Sequence, residues 1–288
     1  MFELSIPAAF GAMLCWGIGD FLIQRTTRAV GDIEALAFIG LFGSIGLLPF
    51  VLQDFSLLFS VQNAALLLFL GAVVFVVAVI NFEALKKGKL SVVEMVIEVE
   101  LPLTAVLAFW FFGETLSLIQ AVLVFLVFVG ILLVSFKGIS KGNLLKGLEK
   151  GVALAVLTAL GSALVNFLTA AGAKQISPLL AVWFPWVIFT VLCFAIIWKR
   201  EGLSAFFENA KKFKSMIVAM GAMDTFAWVF FATAVVKNEL AITTAITESY
   251  VAIALVLGVL LNREKIFAHQ WAGAAVALGA SVMLALMI

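Results

Sequence analysis

The feature that most constrains this chain is the recurrence of apolar segments of about 20 residues, the length a helix needs to cross the hydrocarbon core of a bilayer. Ten stand out: residues 5–24, 33–53, 63–85, 90–112, 118–136, 147–172, 178–198, 214–236, 240–261 and 268–287. Inside hydrocarbon every backbone N–H and C=O must be satisfied within the protein, so such segments fold as helices. Composition agrees. Hydrophobic residues make up 65% of the chain and charged ones 12%, far from the proportions of soluble domains. The expected fold is therefore an all-α, multi-pass membrane protein with short loops and no soluble domain. The first apolar stretch lacks a preceding basic region, so it reads as a membrane helix and not as a cleaved signal. A net charge of +1 gives no basic footprint for nucleic acid. Cys15 and Cys193 both fall in apolar segments without ligand-like spacing, so no disulfide, metal site or cofactor is expected.

Residues 71–130 repeat without a gap when the sequence is slid by 150 positions. Gly71 meets Gly221, Lys87 meets Lys237, Glu98 meets Glu248, Glu114 meets Glu264 and Gln120 meets Gln270. Apolar residues align readily by chance in such a composition, but two glutamates, a lysine and a glutamine do not. The shift divides the chain into 1–140 and 141–288, five segments each. An odd number of crossings makes the second half enter the membrane in the opposite sense. The expectation is two inverted five-helix repeats around a central cavity, with a site at the repeat interface near the midplane.

Basic residues set the orientation. Sixteen of the 18 lysines and arginines fall in the odd-numbered connections or just beyond them, leaving only Lys174 and Lys237 on the other side. By the positive-inside rule those connections are cytoplasmic and both termini lie outside, in a protein of the cytoplasmic membrane. The stretch 199–214 is polar and basic, and reads as amphipathic at the membrane surface.

Acids within the apolar segments carry the functional argument. A carboxylate near the bilayer centre costs roughly 2.5–3.5 kcal/mol on insertion scales unless it is protonated, solvated or paired. Glu98 and Glu248 each lie eight residues into a segment and occupy equivalent repeat positions. They are the first candidates for binding a proton or substrate; the bland alternative is a neutral carboxyl bonded between helices. Glu100 is two residues on, on another helical face, and matches Tyr250 in the other half. Those two could bond opposite ends of one ligand, or each other. Asp224 precedes Trp228 by one turn, a pairing suited to a cationic or zwitterionic ligand through charge and cation–π attraction. Trp16 would line the same pocket, and so could Trp183 and Trp186. Asp20, near Arg25 and Arg28, is either a proton site or a local ion pair. Glu94 reaches the interface, Glu83 pairs with Lys86 and Lys87, and Glu114 and Glu264 read as structural groups at membrane boundaries. Ser117 and Gln120 fit the S-x-x-Q capping box. Gly40, Gly43 and Gly46 form a close-packing series. No lysine or arginine lies mid-membrane beside the acids, so a proton, a metal cation or a cationic substrate must compensate them. A strongly anionic cargo would meet like charge in a low-dielectric cavity, which argues against it.

These features together resemble the ten-helix, EamA-type members of the drug/metabolite transporter superfamily. The resemblance is carried by Cys15-Trp16-Gly17, by Phe82-Glu83-Ala84-Leu85-Lys86, and by Pro102 followed by Phe112-Gly113-Glu114-Thr115-Leu116-Ser117 and Gln120. The second half echoes it as Leu261-Asn262-Arg263-Glu264 with Gln270, so the match spans essentially the whole chain. It implies two inverted repeats around a central cavity and movement of small metabolites across a membrane. It also implies both termini inside, against the charge asymmetry above.

The leading expectation is a secondary carrier, proton- or cation-linked and working by alternating access, for a small amine or amino-acid-like compound. Its partners are then that small molecule, the bilayer and a coupling proton or cation. A second transport reading is a neutral solute such as a sugar, with the acids acting as hydrogen-bond acceptors; a remote one is a non-transporting scaffold or receptor. No H-E-x-x-H, G-x-S-x-G or nucleotide-binding loop occurs, so the chain is not expected to be an enzyme.

Overall fold

The computed structural model describes residues 4–87, 96–135, 149–200, 203–262 and 267–287, and they are all-helical. In chain order the helices are α1 (Ser5–Val30), α2 (Asp32–Val51), α3 (Val61–Lys87), α4 (Glu100–Leu107), α5 (Leu118–Ser135), α6 (Glu149–Gln175), α7 (Pro178–Arg200), α8 (Leu203–Lys212), α9 (Lys214–Lys237), α10 (Leu240–Glu248), α11 (Tyr250–Asn262) and α12 (Ala268–Ala285). A 3-10 stretch, Leu52–Phe59, follows α2, and a π turn, Ala108–Phe112, follows α4. Among the described residues six helices are long and apolar enough to cross a membrane: Ser5–Val30, Asp32–Phe59, Val61–Asn81, Ala153–Gln175, Pro178–Arg200 and Lys214–Lys237. Others expected to span, Glu100–Phe112, Leu118–Val134 and Leu240–Ile253, are shorter apolar helices.

Local chemistry explains the boundaries. α1 ends where Gly31 adopts φ +89°, a conformation that a Cβ disfavours, while its N–H bonds the Thr27 carbonyl at 2.9 Å. Asp32 and Glu34 then place negative charge in the first turn of α2, which suits the helix dipole. The capping box at α5 forms in both directions: Ser117 N–H donates to Gln120 Oε1 (2.9 Å) and Gln120 N–H to Ser117 Oγ (3.3 Å). At α12, Gln270 Oε1 accepts the Phe267 N–H (3.1 Å) and its Nε2 donates to the Val134 carbonyl (2.7 Å).

Two expected helices are not continuous. The segment read as 90–112 turns at Glu98 and Val99, where Val99 N–H bonds Val96 O and Leu101 N–H bonds Glu98 O, both at 3.3 Å. The cause is Pro102, which has no N–H to offer the Glu98 carbonyl, so Leu101 takes it one residue early. The segment read as 240–261 breaks at Ser249, with Ser249 N–H on Ile246 O (3.3 Å) and Ala252 N–H on Ser249 O (3.0 Å). The Ser249 hydroxyl bonds the Ala245 carbonyl (3.1 Å) and the Ser281 hydroxyl (2.5 Å), so it competes with the helical ladder. The 150-residue shift superposes the two breaks.

Packing follows the same shift. α1 packs on α9 and α6 on α3; α1 meets α11 and α6 meets α4; α2 pairs with α7 and α5 with α12. In the last pair the backbones touch, for a Cβ on Gly130 would stand 2.7 Å from the Ala277 nitrogen and the Gly273 carbonyl. The main core gathers Trp186, Phe189, Met220 and Phe231 between α1, α2, α7 and α9. The short helix α8 lies against this bundle, as the amphipathic reading of 199–214 anticipates. Its buried Phe206 stacks on Phe38 (4.2 Å) and meets Phe194 edge-on (5.0 Å), and Asn209 Nδ2 donates to Glu34 Oε2 at 2.8 Å.

Candidate functional site

Four acids are held in the interior of the helical bundle. Glu98, Glu100, Asp224 and Glu248 are each no more than 8% exposed. Glu98 and Glu248 sit at the two interruptions just described, one at the turn itself and one ending α10, and α10 packs against α4. A broken helix leaves backbone carbonyls and N–H groups out of the ladder, which is how discontinuous membrane helices make ion and substrate sites. Glu100 opens α4, and its Oε1 accepts a hydrogen bond from Asn166 Nδ2 of α6 at 3.3 Å. Asn166, 4% exposed, is a member of the site that sequence reasoning missed. Its signal was a lone amide in the apolar run Leu164-Val165-Asn166-Phe167-Leu168.

An aromatic cluster joins α1, α7, α9 and α11. Trp16 of α1 meets Trp228 of α9 edge-on at 5.2 Å and lies 6.4 Å from Tyr250 of α11. Trp228 also meets Trp186 of α7 at 5.8 Å, and Phe231 packs on both Trp16 (5.6 Å) and Trp228 (5.8 Å). Asp224 lies one helical turn before Trp228, its carboxyl buried on the same helix. Tryptophan and tyrosine rings carry negative faces that attract cations, and Asp224 shares its helix with one of these rings, Trp228. Gly17 makes the approach of α1 possible, because a Cβ there would fall 2.7 Å from Ile253 Cβ and 3.2 Å from the Tyr250 carbonyl. Phe231 is a second residue that sequence reasoning missed; nothing separates it from the other 27 phenylalanines except its neighbours.

Other candidates fall elsewhere. Trp183 is anchored to the α2 backbone, with Nε1 donating to the Ser44 carbonyl at 2.8 Å. Trp110, Trp198 and Trp271 are exposed. His269 stacks on Phe267 at the start of α12. The side chains of Asp20, Lys86 and Lys87, together with Glu94 and Glu264, lie outside what the structure describes. Among the described residues no three His, Cys, Asp or Glu side chains converge as a metal-ligating set.

One charged cluster forms at a bundle end. Gly113, at φ +67°, turns the chain out of the π segment, and Glu114 follows it. Glu114 Oε1 accepts the Leu240 N–H (2.8 Å) and the Lys174 ammonium (3.1 Å), while Oε2 accepts the Ala241 N–H (3.2 Å). Lys174 also lies over the Phe112 ring at 4.7 Å. Glu239, just before α10, has its carboxyl pushed above the ordinary range by burial and then by the Glu114 charge, with Lys174 partly opposing. A cavity of about 420 Å³, lined by Ala105, Phe109, Glu114, Thr115, Leu116 and Ala241, opens beside the cluster.

The sequence pattern of the EamA-like transporter family matches residues 4–136 and again residues 149–286. A solved structure titled only "Crystal structure of protein" superposes with a TM-score of 0.80 over 98% of this chain and 96% of its own, at 14% identity. That likeness concerns the fold. No curated protein sequence matches the chain.

Proposed function

The chain belongs to the EamA-like transporter family, and from that premise we propose that it is a secondary active carrier for a small amine or amino-acid-like metabolite. Its ten crossings form two inverted repeats, 1–140 and 141–288, around a central cavity that opens alternately to either side. The observation that carries the reading is the pair of helix interruptions at repeat-equivalent positions, each with a buried glutamate, Glu98 or Glu248, at the break. Interrupted helices at corresponding positions of two halves point to a transporter's binding site. Further support comes from packing that maps onto itself when the halves are exchanged: the Trp16–Tyr250 ring contact has its counterpart in the Asn166–Glu100 hydrogen bond.

In this reading Glu98 and Glu248 carry the coupling proton or the substrate's positive charge. Asp224, Trp228, Trp16 and Tyr250 hold the cationic end, and Glu100 with Asn166 accepts and donates hydrogen bonds to its polar end. Proton release from purified, solubilised protein on addition of candidate amines and amino acids tests it, comparing wild type with Glu98→Gln and Glu248→Gln. Release that disappears in both folded variants supports the assignment. Binding without release in the wild type overturns proton coupling, and undiminished release in both variants overturns the role of these two carboxyls.

A further inference from the structure

The Glu114 cluster joins parts of the chain that a carrier has to separate. Glu114 belongs to the connection that ends the π turn, in the first half of the chain. All three of its partners, Lys174 and the N–H groups of Leu240 and Ala241, belong to the second half. The same end is tied a second time, because the Ser177 hydroxyl donates to Asp54 of the 3-10 stretch after α2. Four connections, following α2, the π turn, α6 and α9, are thus held together at the end opposite Lys199 and Arg200. Glu114 is only 8% exposed at its side chain, and Lys174 26%, so the pair is partly shielded from solvent.

We propose that Glu114 is an inter-repeat latch: gripping Lys174 and the start of α10 holds this end of the bundle shut, and releasing Lys174 opens it. The inference rests on the transporter reading and adds a gate to it. Glu114 suits the task because a carboxylate at a helix N-terminus meets two free N–H groups and the positive end of the dipole. The grip on α10 matters because α10 ends at Glu248, so movement at the latch reaches the helix break directly. Sequence adds an asymmetry. The repeat shift carries Lys174 to Gln24, so the opposite end has no lysine at the equivalent position.

The test reads opening without needing a substrate. In full-length protein in lipid nanodiscs, with Cys15 and Cys193 replaced by alanine, Thr244→Cys places a thiol at a fully buried position one turn into α10, behind the latch. Its labelling rate with a membrane-impermeant maleimide reports access. Glu114→Gln and Lys174→Gln are each expected to speed labelling at least about fivefold, as loss of an ion pair worth about 1 kcal/mol requires. The double variant should go no faster than the singles, and Lys174→Arg should label like the parent. Unchanged rates in the single variants, a double variant whose rise is the product of the two, or a rise in Lys174→Arg equal to that in Lys174→Gln would each overturn the latch. Because labelling is independent of cargo, such a failure is distinct from a failure of the proton-release experiment.

Discussion

Gly43 fixes the position of a ring in the proposed site, and its substitution gives a test with an internal control three residues away. A Cβ at Gly43 would stand 2.4 Å from Trp186 Cδ1 and 3.0 Å from both Trp186 Nε1 and Thr225 Oγ1. Unstrained carbon contacts lie at about 3.5–4.0 Å, so the indole has to retreat by roughly 1 Å or more. It is backed by Phe189 at 5.2 Å and Trp228 at 5.8 Å, and it is itself only 4% exposed. Overpacking of this kind costs about 1–3 kcal/mol. Against it stands a helix-propensity gain of roughly 0.5–1 kcal/mol for replacing a mid-helix glycine by alanine. At Gly46, on the same helix, an added Cβ would find only Phe42 Cε1 at 3.9 Å, so Gly46→Ala keeps the gain without the strain. The stability difference between Gly43→Ala and Gly46→Ala is therefore expected to be about 1–3 kcal/mol in favour of the latter. Thermal unfolding of the two purified variants, followed by tryptophan fluorescence, measures it, and ligand titration should show weakened binding in Gly43→Ala alone. Equal stability and equal binding in the two would refute the claim that Gly43 seats Trp186.

Glu239→Gln should flatten the pH dependence of thermal stability. A carboxyl whose folded pKa is raised binds its proton more tightly in the folded state. Its contribution is full below the unfolded pKa and is lost as pH rises through the folded one. The wild type should thus lose stability above that point and the glutamine variant should not, and melting curves across the range decide it. Asn209→Ala removes the donor from Glu34 and loosens α8, at a cost of about 1–3 kcal/mol, read as faster amide exchange in α8 than in α2.

The fold was largely legible because its strongest constraint is one-dimensional. Segment length and apolarity locate helices in a bilayer, and a glutamate at 98 and again at 248 exposes the repeat without any structure. What length and hydropathy could not show is where a spanning segment breaks. The turn at Glu98 follows from Pro102 withholding one N–H, but the break at Ser249 comes from a serine bonded to Ser281 of another helix, and nothing in the local sequence announces that partner. Glu114 illustrates a different limit. Placed at a membrane boundary it reads as structural, and its locally visible role, beside the Ser117 and Gln120 capping box, hides its grip on residues more than 100 positions away.

Asn166 shows why a site between two repeats is harder to read than the repeats themselves. Sequence comparison of the halves favours positions that agree, and by that measure Glu98 with Glu248 rank first while Asn166, opposite Trp16, is discarded. A carrier for an asymmetric molecule needs the disagreement. Exchanging the halves turns Trp16 beside Tyr250 into Asn166 beside Glu100, so one pair of equivalent places is aromatic and the other is an amide bonded to a carboxyl. In the function proposed above, the shared positions supply a carboxyl at a broken helix in each half. On the same proposal, the unshared ones supply two unlike surfaces, one for the cationic, apolar end of a ligand and one for its polar end.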